Sequence, residues 1–325
     1  MVRVLKRYVE NSVEVIHDWR DFPVRLRGGC VTIGNFDGVH LGHQVLLRQV
    51  AAGAQLLGRP SVVFTFSPHP LAILQPENAP LPLTTLEERA RRLSECGIDV
   101  MVVCRVEQSL LDWDYRYFFE QVIVKTLAAK RVVEGPNFFF GKDRLGDIAR
   151  LQELCLNHRL ESQIVVPAEI DGRMVSSSRV RHWLRAGEIA QANAALGSAF
   201  RVTGEVVPGD QRGRGLGFPT VNLSGIQTML PKEGVYAGWT TVGHDTYPAA
   251  INIGVPLTFN APTSRVEAHI LGLSRDLYGR TLSLDLCHRL REVRRFASSD
   301  ELRQQIESDV ASVRSWAASA RGLAP

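Results

Sequence analysis

The sequence predicts two successive folds: an α/β unit built on a parallel sheet, then an antiparallel β-barrel that ends in a helix. Three observations carry this. Between residues 30 and 170, short apolar runs without polar alternation (CVTIG, SVVFTFS, VMVVCRV, RVVEG) alternate with helix-periodic runs. That is the pattern of strands covered on both faces. After Phe200 the helical period stops, and FRVTGEVV, GVYAGWTTV, YPAAINIG, RVEAHIL and LSLDLCHRL follow one another across Gly-rich turns, as strands of a small barrel do. The last run, SSDELRQQIESDVASVRSWA, is amphipathic at helical spacing.

Taken in order, residues 30–34 read as a strand and 40–57 as a helix, and 61–67 is a buried strand. Residues 84–97 form a helix capped by Thr84 or Thr85 and stopped by Gly97. A strand over 100–106, a helix over 114–129, a strand over 131–135, a helix over 146–158 and a strand over 163–170 follow. A serine cap opens a helix over 176–187, and a second short helix spans 188–197. The change of texture here sets the division: a first domain over 1–187, a linker helix over 188–199 and a second domain over 200–325. The final helix spans 298–317, with Ser298 and Glu301 in a capping-box pattern and Leu302, Ile306, Val310 and Val313 on one face.

A chain of 325 residues is long enough for two separate cores. Apolar residues make up 45% and charged residues 22%, and 38 basic against 34 acidic residues leave a net charge of +4. A mild positive excess suits anionic substrates such as nucleotides, whereas no dense Lys/Arg block argues for a nucleic-acid groove. Cys30, Cys96, Cys104, Cys155 and Cys287 are scattered, form no C-x-x-C pair and are odd in number, which favours a reducing cytoplasm over a disulfide framework. The start, MVRVLKRYVENSVEV, carries charge throughout and lacks an apolar signal core. No run approaches the roughly 18 apolar residues of a membrane span.

The stretch VTIGNFDGVHLGHQVLL places His40 and His43 at a helix start directly after a strand. Unpaired backbone N–H groups and the helix dipole attract anions there. Positions i and i+3 share a face, so both imidazoles can reach one phosphate, and Gly34 and Gly38 permit close backbone approach. The pattern fits stabilisation of charge on an attacked phosphate. A zinc site remains a second reading, with His69 as the only further ligand in view, and a plain turn with two surface histidines is a third.

The segment G-x-F-D-G-V-H-x-G-H resembles the signature of the H-x-G-H nucleotidyltransferases, and specifically the adenylyltransferase half of bacterial bifunctional riboflavin kinase/FAD synthetases. FTFSPHP (64–70), GPNFFFGKDRLGD (135–147) and VSSSRVR (175–181) are similar to further segments of that family, in the same order. The resemblance implies a Rossmann-like first domain. It implies that His40 and His43 hold ATP phosphates, with Gly34, Phe36, Asp37 and Gly38 around the nucleotide. Asn137 then faces flavin, and Ser176, Ser177, Ser178 and Arg181 close on ATP phosphates. Pro136 and Phe139 depart from the family pattern on the flavin side.

The Gly-rich stretch GDQRGRGLGFPTVNL (209–223) leads into a short strand. Thr220 and Asn222, at i and i+2, would face one side of that strand, and their oxygens are hard ligands suited to Mg²⁺ beside nucleotide phosphates. Glu267 interrupts the apolar pattern of RVEAHIL. It reads either as a solvent-face residue or as a general base for an attacking alcohol. With GVYAG, NIG, VEAHIL, DLYG, LRE and the terminal helix, this half resembles riboflavin kinase domains, six-stranded barrels. The resemblance implies that Gly213, Arg214, Gly217 and Pro219 form the nucleotide loop, that Thr220 and Asn222 bind Mg²⁺–ATP and that Glu267 is the base. Leu257 stands where the family has a proline, Pro256 coming one residue early, and ALGSAF departs from the usual linker.

Together the resemblances imply a cytoplasmic bifunctional transferase. It would use Mg²⁺ and ATP, take riboflavin and FMN as substrates, and give FAD and pyrophosphate, with neither nucleic acid nor membrane as partner. The alternatives are a kinase with a weak or inactive adenylyltransferase half, and a flavin-binding regulatory protein.

Overall fold

Six parallel strands in the order β1-β4-β3-β2-β5-β6 make the sheet of the first unit. The computed structural model describes residues 12–166, 168–209, 217–254 and 265–320. By contact the chain divides between Val175 and Ser176. The first unit contains β1 (Glu14–Ile16), β2 (Cys30–Ile33), α1 (Leu41–Leu57), β3 (Ser61–Ser67), α2 (Leu86–Glu95) and β4 (Val100–Arg105). Then come α3 (Tyr115–Phe118), β5 (Arg131–Glu134), α4 (Ile148–Asn157) and β6 (Glu161–Ile164).

Alternate strand residues feed two cores. Val31, Ile33, Val62, Phe64 and Val132 pack with Phe119, Val122 and Leu151 on one face. Cys30, Val63, Met101 and Val133 pack with Leu46, Leu47, Val50 and Leu93 on the other. Burial of both faces is why these strands show no polar alternation.

Thr85 is the cap of α2, its hydroxyl accepting from the Glu88 amide, and Gly97 lies just beyond the helix at φ 81°. One expectation is refined, one is corrected, and one strand was not foreseen. The helix over 114–129 is α3 continued by a π-helical stretch, Phe119–Thr126. The strand over 163–170 is β6 followed by a separate antiparallel pair, β7 (Glu169–Ile170) and β8 (Arg173–Met174). Asp171 and Gly172 turn between them at φ 53° and 67°, the left-handed pair that a two-residue hairpin requires. The three-residue edge strand β1 had no sequence signal of its own.

The second unit begins with α5 (Ser177–Ala186) and α6 (Ile189–Leu196). The Lys232 amide donates to the Leu184 carbonyl at 2.8 Å. Asn193 on α6 accepts from the Phe200 amide and donates to the Leu286 carbonyl, both at 2.8 Å. Both helices are therefore bonded to the barrel side of the chain. Strands β9 (Phe200–Val207), β10 (Val221–Ser224), β11 (Gly234–Val242), β12 (Asp245–Gly254), β13 (Arg265–Ile270) and β14 (Thr281–Arg291) form a closed barrel in the order β10-β13-β12-β11-β14-β9. Closure leaves no edge strand.

Helix α7 (Ser299–Ser319) packs Val310 and Val313 against Ala237 of β11 and Leu271. Arg291 grips Asp309 through two nitrogens, at 2.9 and 2.7 Å. Ser298 caps the helix, and Glu301 reaches back to the Ala297 amide at 3.0 Å. The charged residues 1–11, Gly213 and Arg214 of the Gly-rich stretch and the Pro256–Leu257 departure lie outside the described residues.

Val313 is fully buried under α7. Val313→Ala is expected to destabilise the second unit by about 2 kcal/mol through lost burial plus a cavity. Urea unfolding followed by tryptophan fluorescence checks this, since Trp239 and Trp316 pack together 5.2 Å apart.

Candidate active sites

In an open parallel sheet, ligands sit beyond the carboxyl ends of the strands, where the strand order reverses. Here that point lies between β2 and β5: β3 and β4 lie to one side of β2, and β6 lies beyond β5. The two most distinctive loops of the first unit leave from these two strands. Residues 34–40 follow β2 and residues 135–147 follow β5.

The first loop is held tightly. The Gly34 amide donates to the Phe64 carbonyl at 3.0 Å. Phe36 and Val39 have left-handed φ values of 46° and 42°, and Gly38 has 82°. For a phenylalanine and a β-branched valine this is strain, about 1–3 kcal/mol each, of the kind held at functional loops by surrounding structure. Asp37 supplies much of that hold. Its buried carboxylate accepts from the Leu83 and Thr84 amides at 3.0–3.1 Å and lies 3.5 Å from the buried Arg89 guanidinium. Phe36 is buried beneath His43, their rings 5.0 Å apart. Phe36 and Asp37 therefore brace the loop from behind.

His40 is the cap of α1: its Nδ1 accepts from the His43 amide at 3.3 Å. A neutral ring that accepts at Nδ1 carries its proton on Nε2, so His40 is a donor at that atom. The His40 and His43 rings stack 3.6 Å apart at 19°, so their edges lie side by side. Nδ1 of His43 is buried and lacks a protein partner among the described residues, so no protein bond at that atom fixes the proton position. Burial, then the charges of His40 and Arg89, hold His43 well below the usual histidine value. A neutral imidazole that donates a hydrogen bond, beside the first amides of α1, is suited to an anion whose charge grows during reaction.

His69 lies 3.0 Å from Asn35 and its Nδ1 accepts from the Leu71 amide. Among the described residues no group of three metal-binding side chains forms, so the zinc reading lacks a third ligand. On the β5 side, Asn137 is exposed and its amide lies 3.7 Å from the Met174 sulfur. Phe139 is exposed too, with the Arg144 guanidinium 4.6 Å over its ring.

One residue at the reversal point escaped sequence reasoning. Glu134, the last residue of β5, is buried, and its Oε1 accepts from the Ile33 amide at 2.7 Å and the Thr32 hydroxyl at 3.3 Å. In the sequence it is simply the polar end of a strand. Ser176 caps α5 by accepting from the Arg179 amide at 3.3 Å, Ser177 and Ser178 form its first turn, and Arg181 is buried one turn on.

In the barrel, register does what the linear pattern could not. Asn222 on β10 pairs directly with Glu267 on β13, and Glu267 pairs with Asn252 on β12. Directly paired residues share a face, so the three side chains form one row. Alternation along β12 puts this row on the face of Ala250, the face that α7 packs, and opposite Ile251 and Ile253. Glu267 is therefore on the outside of the barrel but within a row of polar groups, not simply on a solvent face. β10 starts at Val221, so Thr220 stands just before the strand and not within it.

Asn222 is buried, and its Oδ1 has no hydrogen-bond partner among the described residues. Gly209 lies on the Asn222 amide so closely that a Cβ there would sit 2.0 Å from Nδ2. His269, two residues beyond Glu267, donates from Nδ1 to the Pro219 carbonyl at 2.8 Å and packs edge-on to Phe218. It thus anchors the end of the Gly-rich stretch beside the polar row, a second residue not foreseen. Gly217, at φ 91°, occupies a conformation that favours glycine.

The state of His43 has a consequence for stability. Its folded value is lowered, so below about pH 6.5 the unfolded chain binds the extra proton and stability falls as pH falls. His43→Gln is expected to flatten that part of the acid limb of a melting-temperature profile taken from about pH 7.5 to 5.

The family model described as "FAD synthetase" matches residues 23–179, and the one described as "Riboflavin kinase" matches residues 196–317. A protein of Escherichia coli strain K12 named "Bifunctional riboflavin kinase/FMN adenylyltransferase" is 36% identical over 303 residues, 93% of this chain and 96% of that one. A protein of the same name from Pseudomonas fluorescens is 37% identical over 292 residues, 89% and 94% of the two chains. A solved structure titled "Macrolide-efflux Protein from Streptococcus pneumoniae" superposes with a TM-score of 0.85 at 29% identity, covering 94% of this chain and 99% of that one. With two family models in the order of the two folds and relatives alike over nearly the full length, the chain belongs to the bifunctional riboflavin kinase/FMN adenylyltransferase family.

Proposed function

We propose that the barrel unit phosphorylates riboflavin to FMN with ATP, and that the parallel-sheet unit transfers AMP from ATP to FMN, giving FAD and pyrophosphate. The observation that carries this is that each unit has its own chemical centre. One is the stacked His40–His43 pair at the start of α1, and the other is the Asn222–Glu267 row across β10 and β13.

In the barrel, Glu267 takes the proton from the terminal ribityl hydroxyl as its oxygen bonds to the γ-phosphorus of ATP and ADP leaves. Thr220 and Asn222 would hold Mg²⁺, and the unpartnered Asn222 Oδ1 fits a hard cation. When bound, the ion neutralises phosphate charge. Gly217 and Pro219 would lie beside the phosphates, Pro219 being tied down by His269; the same role for Gly213 and Arg214 is carried by the resemblance alone.

In the sheet unit, a phosphate oxygen of FMN attacks the α-phosphorus of ATP and pyrophosphate leaves. The nucleophile is already an anion, so no base is needed. His40, through Nε2, and His43 donate to the phosphate oxygens, Gly34 and Gly38 bring backbone close, and Phe36 and Asp37 hold the loop. Asn137 and the exposed Phe139 line the flavin side. For Ser176, Ser177, Ser178 and Arg181, which belong to α5 of the second unit, a role toward ATP phosphates is carried by the resemblance alone. We place both reactions in the cytoplasm, which suits five free cysteines, three of them buried, and a supply of ATP. No helix among the described residues is long and apolar enough to cross a membrane.

Chromatographic separation of riboflavin, FMN and FAD after incubation with ATP and Mg²⁺ tests the two activities together. His43→Ala is expected to lower FAD formation from supplied FMN by about 100-fold, the cost of one preorganised donor, with FMN formation unchanged. Equal loss of both activities would assign His43 to folding.

Glu267→Gln is expected to lower FMN formation by about 100- to 10,000-fold, the range for a lost general base. Affinity for ATP and the conversion of supplied FMN to FAD should be retained. Phosphorylation at a near-parental rate would remove Glu267 from the chemistry.

A further inference from the structure

The edges of β2 and β5 that face each other pair only at Cys30–Arg131 and Val31–Val132. On their far sides both strands stay paired to their ends, β2 to β3 through Ile33 and β5 to β6 through Glu134. Amide direction alternates along β2: Cys30 and Gly34 donate to Pro60 and Phe64, on the β3 side. The Ile33 amide therefore points toward β5, where the ladder has already stopped. A buried amide without a partner costs about as much as a lost hydrogen bond.

Glu134 meets that need with a side chain. Its Oε1 takes the Ile33 amide at 2.7 Å and the Thr32 hydroxyl at 3.3 Å. Thr32 is fully buried and Glu134 is 3% exposed. Burial pushes the Glu134 carboxyl well above the usual carboxylate range, against the two bonds it accepts. None of the described ion pairs includes it. One residue beyond Ile33 begins the loop that ends in His40 and His43.

We propose that Glu134 is a positioning residue for adenylyl transfer: its side chain stands in for the missing rung between β2 and β5, holds the crevice at one width, and sets where the Gly34–His43 loop begins. It acts through Ile33 and the loop, not on the reacting atoms. An apolar residue there would strand the Ile33 amide. The strands would then close by a further rung or admit water, and either would displace the loop. The proposal rests on the assignment of adenylyl transfer to that loop.

The test uses the full chain and FAD formation from supplied FMN, ATP and Mg²⁺, with riboflavin phosphorylation by the same preparation as internal reference. Glu134→Gln keeps an oxygen acceptor of the same reach and should stay within about threefold of the parent. Glu134→Leu should lower kcat for FAD formation by about 100-fold, the effect of roughly 1 Å of misplacement, with FMN formation unchanged. A purely structural role would lower the melting temperature yet leave kcat of the folded protein alone, so a leucine variant within about threefold in kcat overturns the proposal. A glutamine variant as impaired as the leucine one also overturns it. Should the leucine variant not fold, Thr32→Val carries the test: a loss in kcat of about fivefold, the net worth of one hydrogen bond, supports positioning, and an unchanged kcat overturns it. His43→Ala separates the two levels. If FAD formation survives it, the loop assignment fails. If it does not while Glu134→Leu is active, positioning alone fails.

Discussion

The first unit is organised by a backbone requirement at one place. β2 and β5 are neighbours in a parallel sheet, yet the chain leaves them for opposite sides, and the last amide of β2 is left pointing into the gap. A parallel sheet buried on both faces has no water there to satisfy it. The side chain that does so, Glu134, lets the strands part without an orphaned group. The crevice, the loop of strained residues that rims it and the imidazole pair at the end of that loop all follow from this parting. Strain in Phe36 and Val39 persists because Asp37 is fastened to the Leu83–Thr84 amides and to Arg89, two elements away in sequence.

The barrel meets its requirement differently. Its strands are antiparallel and closed into a barrel. The candidate site is a row set by register: Asn222, Glu267 and Asn252 come from three strands and fall in one line on the outer face. The loop from Gly209 to Thr220 is held to that row at both ends, by close packing of Gly209 on the Asn222 amide and by His269 on the Pro219 carbonyl.

What could be read from the sequence was what is local. Strand and helix periods, the caps at Thr85, Ser176 and Ser298, and the glycine after α2 depend on neighbours within a few residues. The His40–His43 pair was legible because its stacking depends on spacing along one helix start. Glu134 and His269 were not legible, since each acts on a group far away in sequence: Ile33 is 101 positions from Glu134 and Pro219 is 50 from His269. Glu267 was ambiguous for the same reason, because alternation gives a face but not the partner across the ladder. The strand drawn over 163–170 failed for a different cause. Its apolar pattern continued past β6, and the Asp171–Gly172 turn, which reveals the separate hairpin, lay just beyond the stretch considered.

The two centres differ in the polarity of their groups, and the reactions explain why. An alcohol is a poor nucleophile until its proton is removed, so the kinase reaction calls for an acceptor, and the barrel presents a carboxylate. A phosphate monoester is already anionic at neutral pH, so the adenylyl reaction gains nothing from a base. Its difficulty is the approach of one anion to another. In the proposed reading the sheet unit accordingly presents donors, two imidazoles beside a helix N-terminus, and two of its buried carboxyls, Asp37 and Glu134, are engaged by backbone amides. Asp37 is taken up by backbone amides and Arg89, and burial pushes the Glu134 carboxyl above the usual carboxylate range. An ionised, unoccupied carboxylate at either position would oppose both the binding of ATP and the growth of charge on its α-phosphate. Asp37 and Glu134 are thus committed to structure, the one holding the strained loop and the other the last amide of β2.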